Sequence, residues 1–234
     1  MLPLRDINPV SKPPLMTRAL IIANVLAFIP VFVALYVLGD PELYAYLLYT
    51  LGVVPERLLA LEALYTLITS MFTHADMIHI FGNMLYLHIF GDNVEDIMGK
   101  LRFLAFYFYC GLAANLAHIL ACLATGSGLG IPAVGASGAI SGILGAYLVF
   151  FPRARILTLN LIGRGFVMEV RAIHYILFWF IYQVLWALFV LITGAFVSTA
   201  FWAHIGGFLA GLLAGFILKE GVRAEALIRG WIGW

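Results

Sequence analysis

The chain reads as an all-α polytopic membrane protein, a bundle of six transmembrane helices. Three observations lead there. Of its 234 residues, 64% are hydrophobic and 11% are charged, against about 25% charge in an ordinary soluble domain. Mean hydropathy is +1.03. Residues 103–152 and 172–218 contain no charged side chain, and each stretch is long enough for two spans of about 20 residues. A net charge of +1 argues against a nucleic-acid surface. Cys110 and Cys122 fall on one expected helix, about 18 Å apart at 1.5 Å per residue. That is too far to bridge, so both read as small buried apolar residues.

In chain order, residues 1–18 are polar and proline-rich (Pro3, Pro9, Pro13, Pro14) and are expected to form a mostly irregular tail. Residues 19–38 are uncharged and long enough for a first span, which Gly39-Asp40-Pro41 ends. Residues 41–73 mix Leu and Tyr with Glu42, Glu56, Arg57 and Glu62. They predict a loop with one or two amphipathic pieces lying in the interface, within a connection over 39–76. The second span is compressed between Asp76 and Asp92 and continues as helix through Val94 and Ile97. The third and fourth spans share the uncharged stretch 103–152. A loop over 123–136 joins them, and Gly126, Gly128, Gly130, Gly135 and Pro132 break any helix there. The fifth and sixth spans share 172–218, divided near residues 194–199, and a tail follows over 219–234. The membrane domain is therefore expected over 19–218.

Six spans place both termini on one side. Twelve of the thirteen Lys and Arg residues, Arg164 and Arg229 among them, then share that side, leaving only Arg57 opposite. The basic bias makes the termini cytoplasmic and the 39–76 and 123–136 loops external. No removable signal peptide is evident, because the first apolar segment is long enough to span. The expected location is the plasma membrane of a prokaryote.

Chemistry concentrates at Gly135-Ala136-Ser137-Gly138. The fourth span, from 137 to about 151, gives roughly 22 Å of helix against a hydrocarbon core of about 30 Å. Pro152-Arg153-Ala154-Arg155 anchors its cytoplasmic end, so the shortfall falls at Ser137. Irregular backbone at that depth must pack in protein or line a water-filled cavity. The helix N-terminus offers unpaired N–H groups and partial positive charge, suited to an oxyanion beside a serine nucleophile. The plainer reading of Ser137 is an N-cap. His204 opens the sixth span at a similar depth, and Gly207, Gly211 and Gly215 follow at a four-residue interval. This small-residue pattern permits close helix approach, matched on the fourth span by Gly138, Ser141, Gly142 and Gly145. Such packing would bring the imidazole to the Ser137 hydroxyl as general base. A hydrogen-bonded structural histidine is the alternative, although ionisable groups within membranes tend to mark function.

His79 and Asn83 share a helix face at i, i+4, and two donors there could bind an oxyanion. A metal site at His74, His79 and His204 is the rival reading, but the spacing is poor and no helix carries a His-Glu-x-x-His run. His88, His118 and His174 read as structural. Ser11, Ser70, Ser127, Ser141 and Ser198 lack the glycine-flanked setting.

The run His79-Ile80-Phe81-Gly82-Asn83, the Gly135-Ala136-Ser137-Gly138 motif, and Ala203-His204 followed by Gly207 and Gly211 together resemble the rhomboid family of intramembrane serine proteases. The likeness covers roughly residues 17–218. It implies a six-helix rhomboid-like bundle and a serine–histidine dyad without aspartate, with Ser137 as nucleophile and His204 as base. His79, Asn83 and the Ser137 N–H would form the oxyanion hole. It also implies substrates that are single-pass or other transmembrane proteins, held in the lipid bilayer, with no cofactor, metal or nucleic acid. The fifth span, with Phe178, Trp179, Phe180 and Trp186, would flank the substrate's lateral route. Two positions depart from patterns found in some members. Glu56-Arg57 is all the first loop offers in place of a Trp-Arg pair. Ser141 stands where an aromatic stacks on the histidine, so something else must hold His204.

The alternative within the same fold is a catalytically inactive membrane-protein binding or quality-control factor, whose expected signature is loss of the serine or histidine. A transporter predicts inverted repeats and paired midplane charges, which the chain lacks. Aspartyl intramembrane chemistry lacks its Gly-x-Gly-Asp run.

Overall fold

The computed structural model describes residues 1–160, 165–195, 197 and 199–228, with side chains to residue 221. Arg164, Ser198 and Arg229, used above, lie outside these residues, as does the expected C-terminal tail from residue 229 onward. The described chain is mostly helical, with one small sheet.

The N-terminal tail is not irregular. Leu2–Asp6 forms a strand, β1, and helix α1 then begins at Leu15, earlier than expected, and runs to Phe32. Its start has a physical cause. The buried Glu95 carboxylate accepts the backbone N–H of Met16 (2.9 Å) and Thr17 (2.7 Å) and the Thr17 hydroxyl (2.8 Å). This satisfies first-turn amides with negative charge at the positive end of the helix. Pro30, which lacks an N–H, lies inside α1, and a π-helical segment follows over Val33–Leu38. Gly39 ends it at φ +60°, a conformation glycine adopts freely.

Asp40 caps the next helix, α2 (Pro41–Leu51), its Oδ1 accepting the N–H groups of Glu42 and Leu43. Short helices α3 (Pro55–Leu59) and α4 (Thr66–Thr69) complete the loop. Helix α5 (Met77–Met98) is capped by Asp76, and Gly99 at φ +79° joins it to α6 (Lys100–Thr125). Next come α7 (Ser137–Phe150), β2 (Arg155–Asn160), β3 (Phe166–Arg171), α8 (Ala172–Thr193) and α9 (Phe201–Ile228).

Among the described residues, four segments are long and apolar enough to cross a membrane: Leu15–Leu38, Lys100–Thr125, Ala172–Thr193 and Phe201–Gly221. Helix α5 has the length but carries Asp92, Glu95 and Asp96 in its last turns. Helix α7 is shorter, at 14 residues or about 21 Å. It is the central element, buried at every position from Gly138 to Tyr147 and packed by α5, α6 and α9. Lipid tails are as apolar as leucine, so close fit rather than water exclusion holds such a helix. The fit is built on Tyr107, Tyr147 and Phe90, with the Phe90 and Tyr147 rings edge-on at 5.1 Å. Of the four candidate spans, α8 is the least buried.

The sheet has order β1-β2-β3, antiparallel throughout, with Asp6 opposite Ile156 and Arg155 opposite Arg171. It closes the end of the bundle opposite Ser137. There the Asp6 carboxylate accepts Tyr147 Oη–H (2.8 Å) and Asn93 Nδ2–H (2.6 Å). Burial pushes its pKa up to about 6; the nearby Asp92 charge adds to the rise, while the Tyr147 bond opposes it.

Candidate active site

Ser137 is the first residue of α7. Ala136 is the N-cap, at φ −70° and ψ −9°, and no side chain bonds the first-turn amides. The hydroxyl of Ser137 is thus not spent on capping; its Oγ lies 2.8 Å from His204 Nε2. Both residues are half-buried, and the α7 N-terminus presents its free amides on the same spot.

The 39–76 loop holds the approach to Ser137. Val53 and Ala133 exchange both backbone hydrogen bonds (2.9 and 2.8 Å), Glu56 N–H donates to Leu129 C=O (3.0 Å), and Gly135 N–H donates to Ser70 C=O (2.9 Å). Gly135 adopts φ +125°, and a Cβ there would lie 2.7 Å from His79 Nε2. Only glycine meets both demands. The same Cβ position is 3.5 Å from Ser137 Oγ, so His79 Nε2 and the serine hydroxyl flank one glycine.

His79 sits in the first turn of α5, where its backbone N–H donates to Asp76 Oδ1 at 2.8 Å. Its Nδ1 accepts a long contact, 3.5 Å, from Ala75 N–H. A neutral imidazole that accepts at Nδ1 carries its proton on Nε2, the atom beside Gly135. Asn83 lies one turn on, buried, with Nδ2 donating to the His79 carbonyl at 2.8 Å. That amide has a second N–H to offer. His74 is fully buried with its ring edge-on to His79 at 5.1 Å.

His204 comes from the first turn of α9. The sequence leaves open what holds it in the absence of an aromatic at position 141, and the structure supplies the answer. Ser141 turns inward, its hydroxyl donating to the Ser137 carbonyl at 2.6 Å. The imidazole is held from α8: Gln183 Oε1 lies 2.8 Å from His204 Nδ1, and the Trp179 ring flanks it at 6.1 Å between centroids. Sequence reasoning missed Gln183. The available signal was an amide midway along an uncharged span, where polar groups are costly and usually partnered.

The two helices carrying Ser137 and His204 meet through backbone. A Cβ added at Gly207 would strike the Gly138 carbonyl, and one at Gly211 would strike the Gly142 carbonyl and its Cα. Gly138 and Gly142 also face α6, against Ala114 and Cys110.

Residues 61–221 match the model of the Rhomboid domain. The chain belongs to the rhomboid family. Among curated rhomboids, the yeast (Saccharomyces cerevisiae) "Rhomboid protein 1, mitochondrial" is 31% identical over 166 residues, 68% of this chain and 43% of that protein. The Arabidopsis thaliana "RHOMBOID-like protein 5" is 30% identical over 168 residues, 72% and 48% respectively. The human "Presenilin-associated rhomboid-like protein, mitochondrial" is 33% identical over 90 residues, 38% and 23%. The matched stretch thus spans less than half of each of these rhomboids.

These relatives correct one expectation. The expected location is the plasma membrane of a prokaryote, with both termini cytoplasmic. The three rhomboids named above are eukaryotic, and two of them are mitochondrial by name, which overturns the prokaryotic plasma membrane. Charge bias orients a chain within a membrane but does not say which membrane. Membership of a membrane-protein family stands.

Proposed function

We propose that this rhomboid is an intramembrane serine endopeptidase that cleaves a peptide bond in or near a transmembrane segment of its substrate. One observation carries the reading: the 2.8 Å contact between Ser137 Oγ and His204 Nε2, made across two helices that touch backbone to backbone. In the proposed reaction His204 takes the hydroxyl proton as Ser137 attacks the scissile carbonyl, and returns it to the leaving amine. The Ser137 N–H, His79 Nε2–H and Asn83 stabilise the charge on the carbonyl oxygen. Water then releases the acyl group by the same steps. The substrates are single-pass or other transmembrane proteins approaching through the bilayer. Helix α8 flanks their path, beside a cavity of about 200 Å³ walled by Met1, Tyr86, Tyr175, Phe178, Trp179 and Tyr182.

The proposed domain is a six-span bundle over 19–218, with α5 and α7 as the two spans of marginal length or polarity. An inactive binding factor is disfavoured because both members of the dyad are present and in contact. The test is covalent labelling of the purified protein in detergent by a fluorophosphonate serine-hydrolase probe. Labelling of wild type and none of Ser137→Ala is expected. Failure of correctly folded wild type to label or to cleave any transmembrane substrate would overturn the proposal.

A further inference from the structure

We propose that Gln183 is a positioning residue for His204, fixing its tautomer and making the dyad dependent on the seating of α8. The inference rests on the reading of Ser137 and His204 as nucleophile and base. It starts from the 2.8 Å contact between Gln183 Oε1 and His204 Nδ1. Gln183 is buried, on an otherwise largely exposed helix. An amide oxygen only accepts, so the imidazole proton sits on Nδ1. The Nε2 lone pair then faces Ser137 Oγ, as a base requires. The opposite tautomer would direct an N–H at the hydroxyl and could not take its proton. In a soluble triad, an acidic partner replaced by one that favours the wrong tautomer costs about 10⁴-fold in rate.

The proton balance is simple. The Ser137 proton moves to His204 Nε2, giving an imidazolium with both nitrogens protonated. Gln183 Oε1 holds Nδ1–H throughout, and the Nε2 proton leaves with the amine. Gln183 exchanges no proton. A neutral amide does this at membrane depth without the cost of a buried carboxylate.

The contact spans two elements. Gln183 belongs to α8 and His204 to α9, and α8 is the least buried of the four candidate spans. Withdrawal of α8 by about 1 Å would lengthen the bond beyond hydrogen-bonding range. The base is therefore oriented only while α8 is in place, and a substrate that displaces α8 must let it return before chemistry.

The experiment is ¹⁵N NMR of histidine-labelled protein in micelles, with His204 assigned through His204→Gln, alongside cleavage kinetics. Wild type should show His204 protonated at Nδ1 and bare at Nε2. Gln183→Leu, which keeps bulk and apolarity, should lose that preference. Its kcat should fall about 10–100-fold, as a misplaced base does, with KM within about twofold and unchanged thermal stability. Gln183→Glu, which retains an acceptor oxygen, should recover most of kcat. An Nε2–H tautomer in wild type, or Gln183→Leu with wild-type tautomer and kcat, would overturn the proposal. The NMR reading needs no turnover. An inactive chain whose tautomer follows Gln183 supports the positioning role and counts against the activity alone.

Discussion

Substituting Gly211 by valine should disable the site from a distance. Gly211 lies seven residues past His204, about 10 Å along α9, and can do no chemistry. A Cβ at this position would overlap the Gly142 carbonyl and lie 2.5 Å from the Gly142 Cα. Comfortable carbon contacts are about 3.5–4.0 Å, so the two backbones must part by roughly 1 Å. Both partners are main chain, and no side chain can rotate away. Moved with α9, His204 Nε2 would leave Ser137 Oγ, from 2.8 Å to nearly 4 Å on this ~1 Å displacement. A shift of that size costs about 10²-fold in rate, and overpacking costs about 1–3 kcal/mol in stability. The assay is the rate of fluorophosphonate labelling of Ser137, read beside thermal unfolding in detergent. Leu213→Val is the control, because Leu213 is 58% exposed on the same helix. Leu212 is unsuitable: its backbone N is 2.7 Å from where a Gly145 Cβ would stand. Wild-type labelling by folded Gly211→Val would refute the claim that this contact sets the Ser137–His204 distance.

Further outcomes follow from other contacts. Ser137→Ala and His204→Ala should each abolish cleavage, and the double variant should be no worse than either, since the two act as one unit; additive losses in single-turnover kinetics would contradict this. Asn83→Ala should lower kcat by up to about 10²–10³-fold with little change in KM, as loss of an oxyanion donor does; a change confined to KM would reassign it to substrate binding. Glu95→Ala should lower stability by roughly 2–4 kcal/mol, since a bond to a charged group is worth about 1.5–3 kcal/mol net of water and such contributions do not simply add, and the shift in melting temperature reads it. The folded-state pKa of Asp6 is raised from 3.8 to about 6, so the folded form holds its proton more tightly. Its contribution to stability is full below about pH 4 and lost as pH rises through about 6. Melting temperature against pH should show this step in wild type and lack it in Asp6→Asn.

How much could be read from the sequence depended on the range of the interaction. The apolar helices within 103–152 and 172–218 were legible because a lack of charge is a local property. The meeting of Ser137 and His204 was legible because Gly138, Gly142, Gly207 and Gly211 repeat at the period of a helix face, so that one-dimensional spacing encodes a helix contact. Strand β1 was not: its partners lie 150 or more positions away, and the neighbouring prolines pointed to irregular chain. The early start of α1 was equally hidden, since its cap comes from another helix. Gln183 could be seen as an unusual residue, but nothing local says that it faces His204. The first long loop was expected to lie in the interface. Its exchange of backbone bonds between Val53 and Ala133, which steadies the approach to the serine, involves groups common to every residue and leaves no trace in side-chain identity.

The carboxylate of Glu95 has a meaning for the order in which the protein can be completed. The amides of Met16 and Thr17 emerge from the ribosome 78–79 residues before the group that will receive them. At about 5–20 residues per second, that interval is roughly 4–16 s. Until it passes, the start of α1 can satisfy its amides only with water at the membrane surface. Helix α1 therefore cannot be fixed in register until α5 has been made. A newborn chain stalled before Glu95 should expose Thr17 to solvent-borne labelling reagents, and one stalled well beyond it should not.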